Sequence, residues 1–158
     1  MDILNVLEKA TQINSVSGSE NEIRKFISDN VKKYCDELSV DAMGNLIAHK
    51  KGSGKKIMFA AHMDEIGIIV TDIDDKGFVR FSSVGGLNLR NLVNLRVRFA
   101  NGVEGVIGAE EESFKDKPAI SKLYVDLGAA DKKEAEKTVL IGDTASFVGG
   151  FVKCGDNA

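Results

Sequence analysis

The stretch Ile57-Met-Phe-Ala-Ala-His-Met-Asp-Glu-Ile-Gly67 lies where two kinds of sequence pattern meet. An apolar run ends in a His-x-Asp pair, and a second acid follows it. The run Ile57 to Ala61 predicts a short buried strand, and side chains two residues apart lie on the same face of a strand. His62 and Asp64 would then point the same way. A histidine with a carboxylate beside it suggests a metal-dependent enzyme.

Helix and strand patterns alternate before this stretch. Apolar residues at helical spacing predict a helix over residues 3–13. The pattern Ser19-Glu-Asn-Glu22 is a capping box, and it predicts a second helix through about Tyr34. Two short apolar runs on either side of Gly44-Asn45 predict a β-hairpin. The alternation is typical of an α/β layered structure.

Short strand patterns with frequent turn signals follow residue 68. The predicted strands are 68–70, 78–81, 93–99, 103–108, 123–127, 139–141 and 145–152. Asn101-Gly102 is a strong hairpin signal between two of them. Asp131-Lys-Lys-Glu134 is a second capping box, which opens a single short helix. Strands at this spacing predict a small barrel or sandwich.

Composition limits the classes of protein that the chain can belong to. With 158 residues, 43% of them hydrophobic, the chain can form a packed core as one domain or two small ones. Its formal net charge of -3 favours neither nucleic acid nor a membrane surface as a partner. The acidic N-terminus predicts no signal peptide. Two distant cysteines predict reduced thiols, so we expect a cytoplasmic protein.

Several segments, in this order, resemble the M42 family of metallo-aminopeptidases, also called glutamyl or deblocking aminopeptidases and endoglucanase M or cellulase M. The segments are Gly44-Asn-Leu-Ile47, Ala61-His-Met-Asp-Glu-Ile-Gly67, Gly85-Gly86 with the hairpin of residues 96–108, Tyr124-Val-Asp-Leu-Gly-Ala129 and Gly142-Asp143. The resemblance covers essentially the whole chain. It implies an α/β fold in which residues 1–68 are the N-terminal part of a split α/β catalytic domain. Residues 69–158 would be an inserted, PDZ-like small β-barrel domain.

The resemblance also implies roles for two residues. His62 would bind one of two divalent metal ions, zinc or cobalt. Asp64 would be the active-site acid that orients His62 through its second ring nitrogen. The complete enzyme would remove N-terminal residues from peptides and would form homo-oligomers. The family's other metal ligands and its general base follow the β domain, and this chain ends before them, so we expect it to be inactive alone.

Other interpretations of the chain stay open at this point. The main alternative is a non-catalytic β-domain module for oligomerisation or peptide binding. Glycan hydrolysis needs two carboxylates flanking the bond, and the absence of tryptophan argues against a sugar-binding platform. If the α/β region is incomplete, its apolar faces and strand edges should be exposed.

Taken singly, the polar residues of the motif have ordinary explanations. His62 could be a strand-end histidine and Asp64 a turn-capping acid, while Glu65 predicts no chemical role. His49 is expected to be exposed at a strand end and to have no function. The acids of Glu110-Glu-Glu112 predict a solvated loop, and Asp156-Asn157 lacks the Arg-x-Gly that follows a bridging-metal aspartate in the family.

Overall fold

The computed structural model describes residues 2–110 and 119–155, so the predictions for 111–112 and 156–157 lie outside the described residues. The helices of this part of the chain are α1 (Ile3–Ala10), α2 (Asn21–Val31) and α3 (Lys132–Ala135). Its strands are β1 (Glu37–Val40), β2 (Leu46–His49), β3 (Gly67–Ile73), β4 (Val79–Val84), β5 (Arg96–Phe99), β6 (Glu104–Ala109), β7 (Leu123–Asp126) and β8 (Thr144–Phe147). Within these ranges, no helix has the length and apolar character to cross a bilayer.

Strands β3 to β8 form a closed barrel in the order β3-β4-β7-β6-β5-β8. Every neighbouring pair is antiparallel, and the pairing of Ile68 with Ala145 joins β3 to β8 and closes the ring. Closure pairs both edges of each strand. Of the two β architectures that the sequence predicts, the molecule adopts the barrel.

Alternate strand residues fill the barrel with apolar side chains. The fully buried members of this core include Ile68, Val70, Val79, Val97, Phe99, Ile107, Leu123, Val125 and Ala145. Burial of each valine, leucine, isoleucine or phenylalanine side chain contributes about 1.5–3 kcal/mol. The two-residue period of the sequence therefore produces the core directly, because every second side chain of a strand faces inward.

The barrel departs from the predicted strands at several places. Strand β3 continues to Ile73, beyond the predicted end at residue 70, and β8 ends at Phe147, so the predicted strand 145–152 is too long. Strand β5 begins at Arg96 rather than at Val93, because Asn94 has a φ of 70° and breaks the extended backbone. The predicted strand 139–141 is also wrong. Val139 is buried, but its N–H donates to the carbonyl oxygen of Ala135, so it continues the turn that follows α3.

The two capping boxes have different outcomes. The Asp131 carboxylate accepts a hydrogen bond from the N–H of Glu134 at 2.9 Å, as predicted for the start of α3. At α2 the box does not form: the N-cap residue is Glu20, one position later, and no side chain caps the helix. The Ser19 hydroxyl instead accepts a hydrogen bond from Thr144 Oγ1 at 3.0 Å and so contacts the barrel.

The N-terminal region contains the predicted hairpin but not the predicted buried strand. β1 and β2 pair antiparallel, and Arg24 Nε of α2 donates to the Gly44 carbonyl oxygen at 2.8 Å in their turn. The run from Ile57 lies outside any strand, and its first three side chains are 78%, 87% and 95% exposed. No described strand pairs with it, and an apolar run becomes a buried strand only where partners exist. The expected apolar exposure is therefore present.

A short segment before α2 connects the N-terminal region to the barrel. The Ser15 N–H donates to Glu65 Oε1 at 3.0 Å, and the Glu65 N–H donates to the Ser15 carbonyl oxygen at 2.9 Å. Val16 forms an isolated parallel bridge with Glu65 and is fully buried. A Cβ at Gly67 would lie 2.5 Å from Val16 Cγ2, so only glycine allows this approach. These contacts fix residues 15–17 beside the start of β3.

Ion pairs connect Arg80 of β4 with charged residues that lie just beyond the ends of β3 and β6 and just before β7. Arg80 donates to Asp74 Oδ2 at 3.0 Å and to Glu110 Oε1 at 2.9 Å. Lys122 Nζ donates to Glu110 Oε2 at 3.0 Å. The hydrogen bond from Lys122, followed by that from Arg80, lowers the pKa of Glu110 below its ordinary value.

We predict that Gly105→Ala destabilises the barrel by about 1–3 kcal/mol, because overpacking a filled core forces side chains and backbone to shift. A Cβ at residue 105 would collide with Val125 Cγ1 and lie 2.9 Å from the carbonyl oxygen of Asp126. Urea unfolding of the purified chain measures the loss. The matched control is Gly86→Ala, where a Cβ would meet no described atom within 4 Å. Equal stability of the two variants would contradict the packing.

We predict that Glu110→Gln lowers the free energy of unfolding at neutral pH but not in acid. A carboxyl whose folded pKa is depressed stabilises the fold fully above its unfolded pKa, and this stabilisation is lost as the pH falls through the folded pKa. Wild type and variant should therefore converge from about pH 5 downward. Urea unfolding across this range is the measurement, with Glu8→Gln at an exposed α1 position as control. A difference that does not change with pH would exclude this ion-pair contribution.

Candidate metal-binding site

His62 and Asp64 lie in the segment that leads into β3, and they contact each other. His62 Nδ1 is 2.9 Å from the carbonyl oxygen of Asp64 and 3.1 Å from its Oδ1. The His62 side chain is 86% exposed and that of Asp64 is 37% exposed. Although the predicted strand is absent here, the two side chains contact each other from positions two residues apart. The imidazole is thus oriented by the aspartate and open to solvent.

Asp64 is held from its other side by Ser17. The Ser17 hydroxyl donates to Asp64 Oδ2 at 2.5 Å. This hydrogen bond is the largest cause that lowers the pKa of Asp64, and the His62 contact lowers it further. Each oxygen of the carboxylate therefore has a partner, and the ionised form is favoured.

Sequence reasoning did not identify Ser17 or the pairing of Ser15 with Glu65. The Ser17 contact spans 47 residues, and Ser15-Val-Ser-Gly18 appears only as a helix break in the sequence. Glu65, for which the sequence predicts no chemical role, holds the backbone of Ser15. Hydroxyls beside a motif acid could be found only by knowing which segment packs against the motif.

His49 is far less suited to a site. It is exposed at the end of β2, and its Nδ1 lies 3.2 Å from Glu37 Oε2 across the hairpin. The neighbouring Lys51 also pairs with Glu37, at 2.7 Å. These contacts are those of a solvated strand end, in agreement with the prediction that His49 has no function.

The donor atoms at His62 fit one corner of a metal site. An imidazole nitrogen suits zinc and cobalt, and a carboxylate on the other ring nitrogen is the usual support for such a ligand. Protein zinc sites use three or four protein ligands. Among the described residues, no group of three or more His, Cys, Asp or Glu is placed to hold a metal. His62 and Asp64 therefore fit a ligand and its orienting acid, but not a whole site.

Two relatives of known sequence are similar to nearly the whole chain. A protein of Acetivibrio thermocellus named as an aminopeptidase is 54% identical over 98% of this chain and 47% of its own length. The lysyl aminopeptidase of Pyrococcus furiosus is 34% identical over 96% of this chain and 47% of its own length. The chain thus spans about half the length of the curated relatives it matches.

Solved structures also match nearly the whole of this chain and about half of their own length. The aminopeptidase APDkam598 from Desulfurococcus kamchatkensis matches with a TM-score of 0.89 and 34% identity, over 96% of this chain and 45% of that one. PhTET1-12s, described as a dodecamer, matches with a TM-score of 0.87 and 38% identity, over 98% of this chain and 48% of that one. A Thermotoga maritima protein named as an endoglucanase matches with a TM-score of 0.85 and 38% identity, over 94% of this chain and 46% of that one.

Sequence and structure comparisons agree on the family. The M42 glutamyl aminopeptidase family matches residues 44–158, which include the His62 motif and all six barrel strands. The likeness of the relatives extends over the residues before this range as well. This chain belongs to the M42 family of glutamyl aminopeptidases.

Proposed function

We propose that this chain is the N-terminal part of a di-metal aminopeptidase that removes N-terminal residues from peptides. The observation that carries the proposal is the hydrogen bond between His62 and Asp64, which lies inside the family's motif. Relatives that share this region are named as aminopeptidases, which supports a peptide substrate.

Each of the two motif residues has a distinct task in the proposal. His62 would supply one ligand to a pair of divalent ions, zinc or cobalt. Bound ions of this kind lower the pKa of a water and polarise a carbonyl group. Asp64 keeps the His62 ring in place through Nδ1 and is itself held by Ser17. The remaining ligands and the general base would come from protein outside this chain, so the chain alone should be inactive.

The proposed domain division follows from the same argument. Residues 1–68 would be the first part of a split α/β catalytic domain, and residues 69–158 an inserted PDZ-like barrel domain. The support is that the apolar side chains of residues 57–59 are more than three-quarters exposed, while the barrel core is closed. The half of the relatives' length that this chain does not span could supply their cover.

The assembly and location of the protein complete the proposal. Structural neighbours titled as a dodecamer, or as a tetrahedron or octahedral shell, support a homo-oligomer. Both cysteines, Cys35 and Cys154, are free thiols, which suits the reducing cytoplasm.

We predict that His62→Ala lowers kcat/KM for aminoacyl anilides by about 100-fold or more in an active protein of the relatives' length, with zinc or cobalt supplied. His49→Ala is the matched control and should leave the rate unchanged, because His49 lies on the β1–β2 hairpin. The chain described here should show no turnover under the same conditions. Turnover by this chain alone would overturn its assignment as an incomplete enzyme. An inactive longer protein would overturn the proposed peptidase activity.

One structural neighbour is named as an endoglucanase, which calls for a direct comparison of substrates. The same preparations should therefore be assayed with carboxymethylcellulose. We expect hydrolysis of the anilides only, since relatives that share this region are named as aminopeptidases. Release of reducing sugar without anilide hydrolysis would favour a glycosidase. Neither activity would favour the non-catalytic module.

A further inference from the structure

We propose that Ser17 is a positioning residue that holds the Asp64 carboxylate against His62 and thereby selects the ring tautomer in which Nε2 presents a lone pair. The inference rests on the proposed function in one respect only, the metal that Nε2 would coordinate. The hydrogen bonds that carry it all lie within this chain.

The contacts of His62 decide which ring nitrogen carries the proton. Nδ1 faces two oxygens of Asp64, the carbonyl oxygen at 2.9 Å and Oδ1 at 3.1 Å. A carbonyl oxygen can only accept, and an ionised carboxylate can only accept. Nδ1 must therefore be the donor. In a neutral imidazole one nitrogen donates and the other accepts, so Nε2 is left with its lone pair.

The carboxylate needs a second support because the histidine cannot hold it. His62 is 86% exposed, so little packing restricts its ring. Asp64 is itself 37% exposed, and without another partner its carboxylate could rotate away from Nδ1. The Ser17 hydroxyl supplies that partner by donating to Oδ2 at 2.5 Å. With Oδ2 fixed, Oδ1 stays toward the ring.

Ser17 can act as a support because its own backbone is fixed. The preceding residue, Val16, is fully buried and forms the bridge with Glu65. Ser15 exchanges two backbone-linked hydrogen bonds with Glu65, at 3.0 and 2.9 Å. The hydroxyl of Ser17 thus comes from a segment that is anchored to the start of the barrel. This anchoring does not use the Ser17 side chain, so removing the hydroxyl tests its positioning role separately from the anchoring.

The experiment measures the tautomer of each histidine in the metal-free chain at about pH 9, where imidazoles are neutral. Ring ¹⁵N chemical shifts distinguish Nδ1–H from Nε2–H, and the chain has two histidines to assign. Wild-type His62 should be mainly Nδ1–H. Ser17→Ala should lower the ratio of Nδ1–H to Nε2–H at His62 by roughly fivefold, as expected for loss of the hydrogen bond to Oδ1 while the Asp64 carbonyl oxygen remains an acceptor. Ser17→Thr, which keeps the hydroxyl, should retain most of the wild-type ratio.

Two controls separate positioning from a general disturbance of the fold. His49 also has a carboxylate at Nδ1, from Glu37, but no contact with Ser17, so its tautomer ratio should not change. In an Asp64→Ala background, Ser17→Ala should have no further effect on His62, because it acts through the carboxylate. Matching amide spectra at the barrel residues establish that the variants fold.

The inference is overturned if wild-type His62 is mainly Nε2–H, or if Ser17→Ala leaves its ratio unchanged. It is also overturned if Ser17→Thr behaves like Ser17→Ala. None of these results depends on peptidase activity. An inactive longer protein would therefore contradict the proposed function without affecting the test of the tautomer.

Discussion

The close approach of Val16 to Gly67 fixes the candidate site relative to the barrel. A Cβ at residue 67 would lie 2.5 Å from Val16 Cγ2 and 2.6 Å from the carbonyl oxygen of Ala145. Any larger residue would therefore push apart the N-terminal segment, β3 and β8 at the point where the barrel closes. The same approach brings Ser17 to Asp64. Barrel closure and the support of the motif thus share one steric requirement.

The barrel and the N-terminal region differ in how completely their strands are paired and their apolar side chains buried. In the barrel every strand pairs on both edges, and the alternating side chains form a common core. The β1–β2 hairpin is two-stranded, and such hairpins are marginal without further packing. The run that begins at Ile57 follows the hairpin in sequence and exposes further apolar surface. Local opening should therefore cost least around the hairpin and most in the barrel, and His62 lies between the two in sequence.

Features that depend on local sequence were predictable, whereas features that depend on distant partners were not. Turn residues and two-residue periodicity predicted the hairpin and the β domain, and the Asp131 capping box formed because all its atoms lie within one turn. The Ser19 box did not form: α2 has Glu20 as its N-cap, and the Ser19 hydroxyl contacts Thr144, far along the chain. The run from Ile57 has the composition of a strand, but no described strand lies beside it. At the site, the motif identified His62 and Asp64, while Ser17 is 47 residues from its partner.

A candidate ligand such as His62 gains from being oriented in advance. One imidazole cannot hold a metal ion, because three or four protein ligands are the rule. Each further ligand that must be ordered during binding costs conformational entropy, and an exposed side chain has the most to lose. The hydrogen bonds to Asp64 restrict the His62 ring. Since those bonds are supported by a segment anchored on the barrel, the orientation of the His62 ring is set by contacts within this chain.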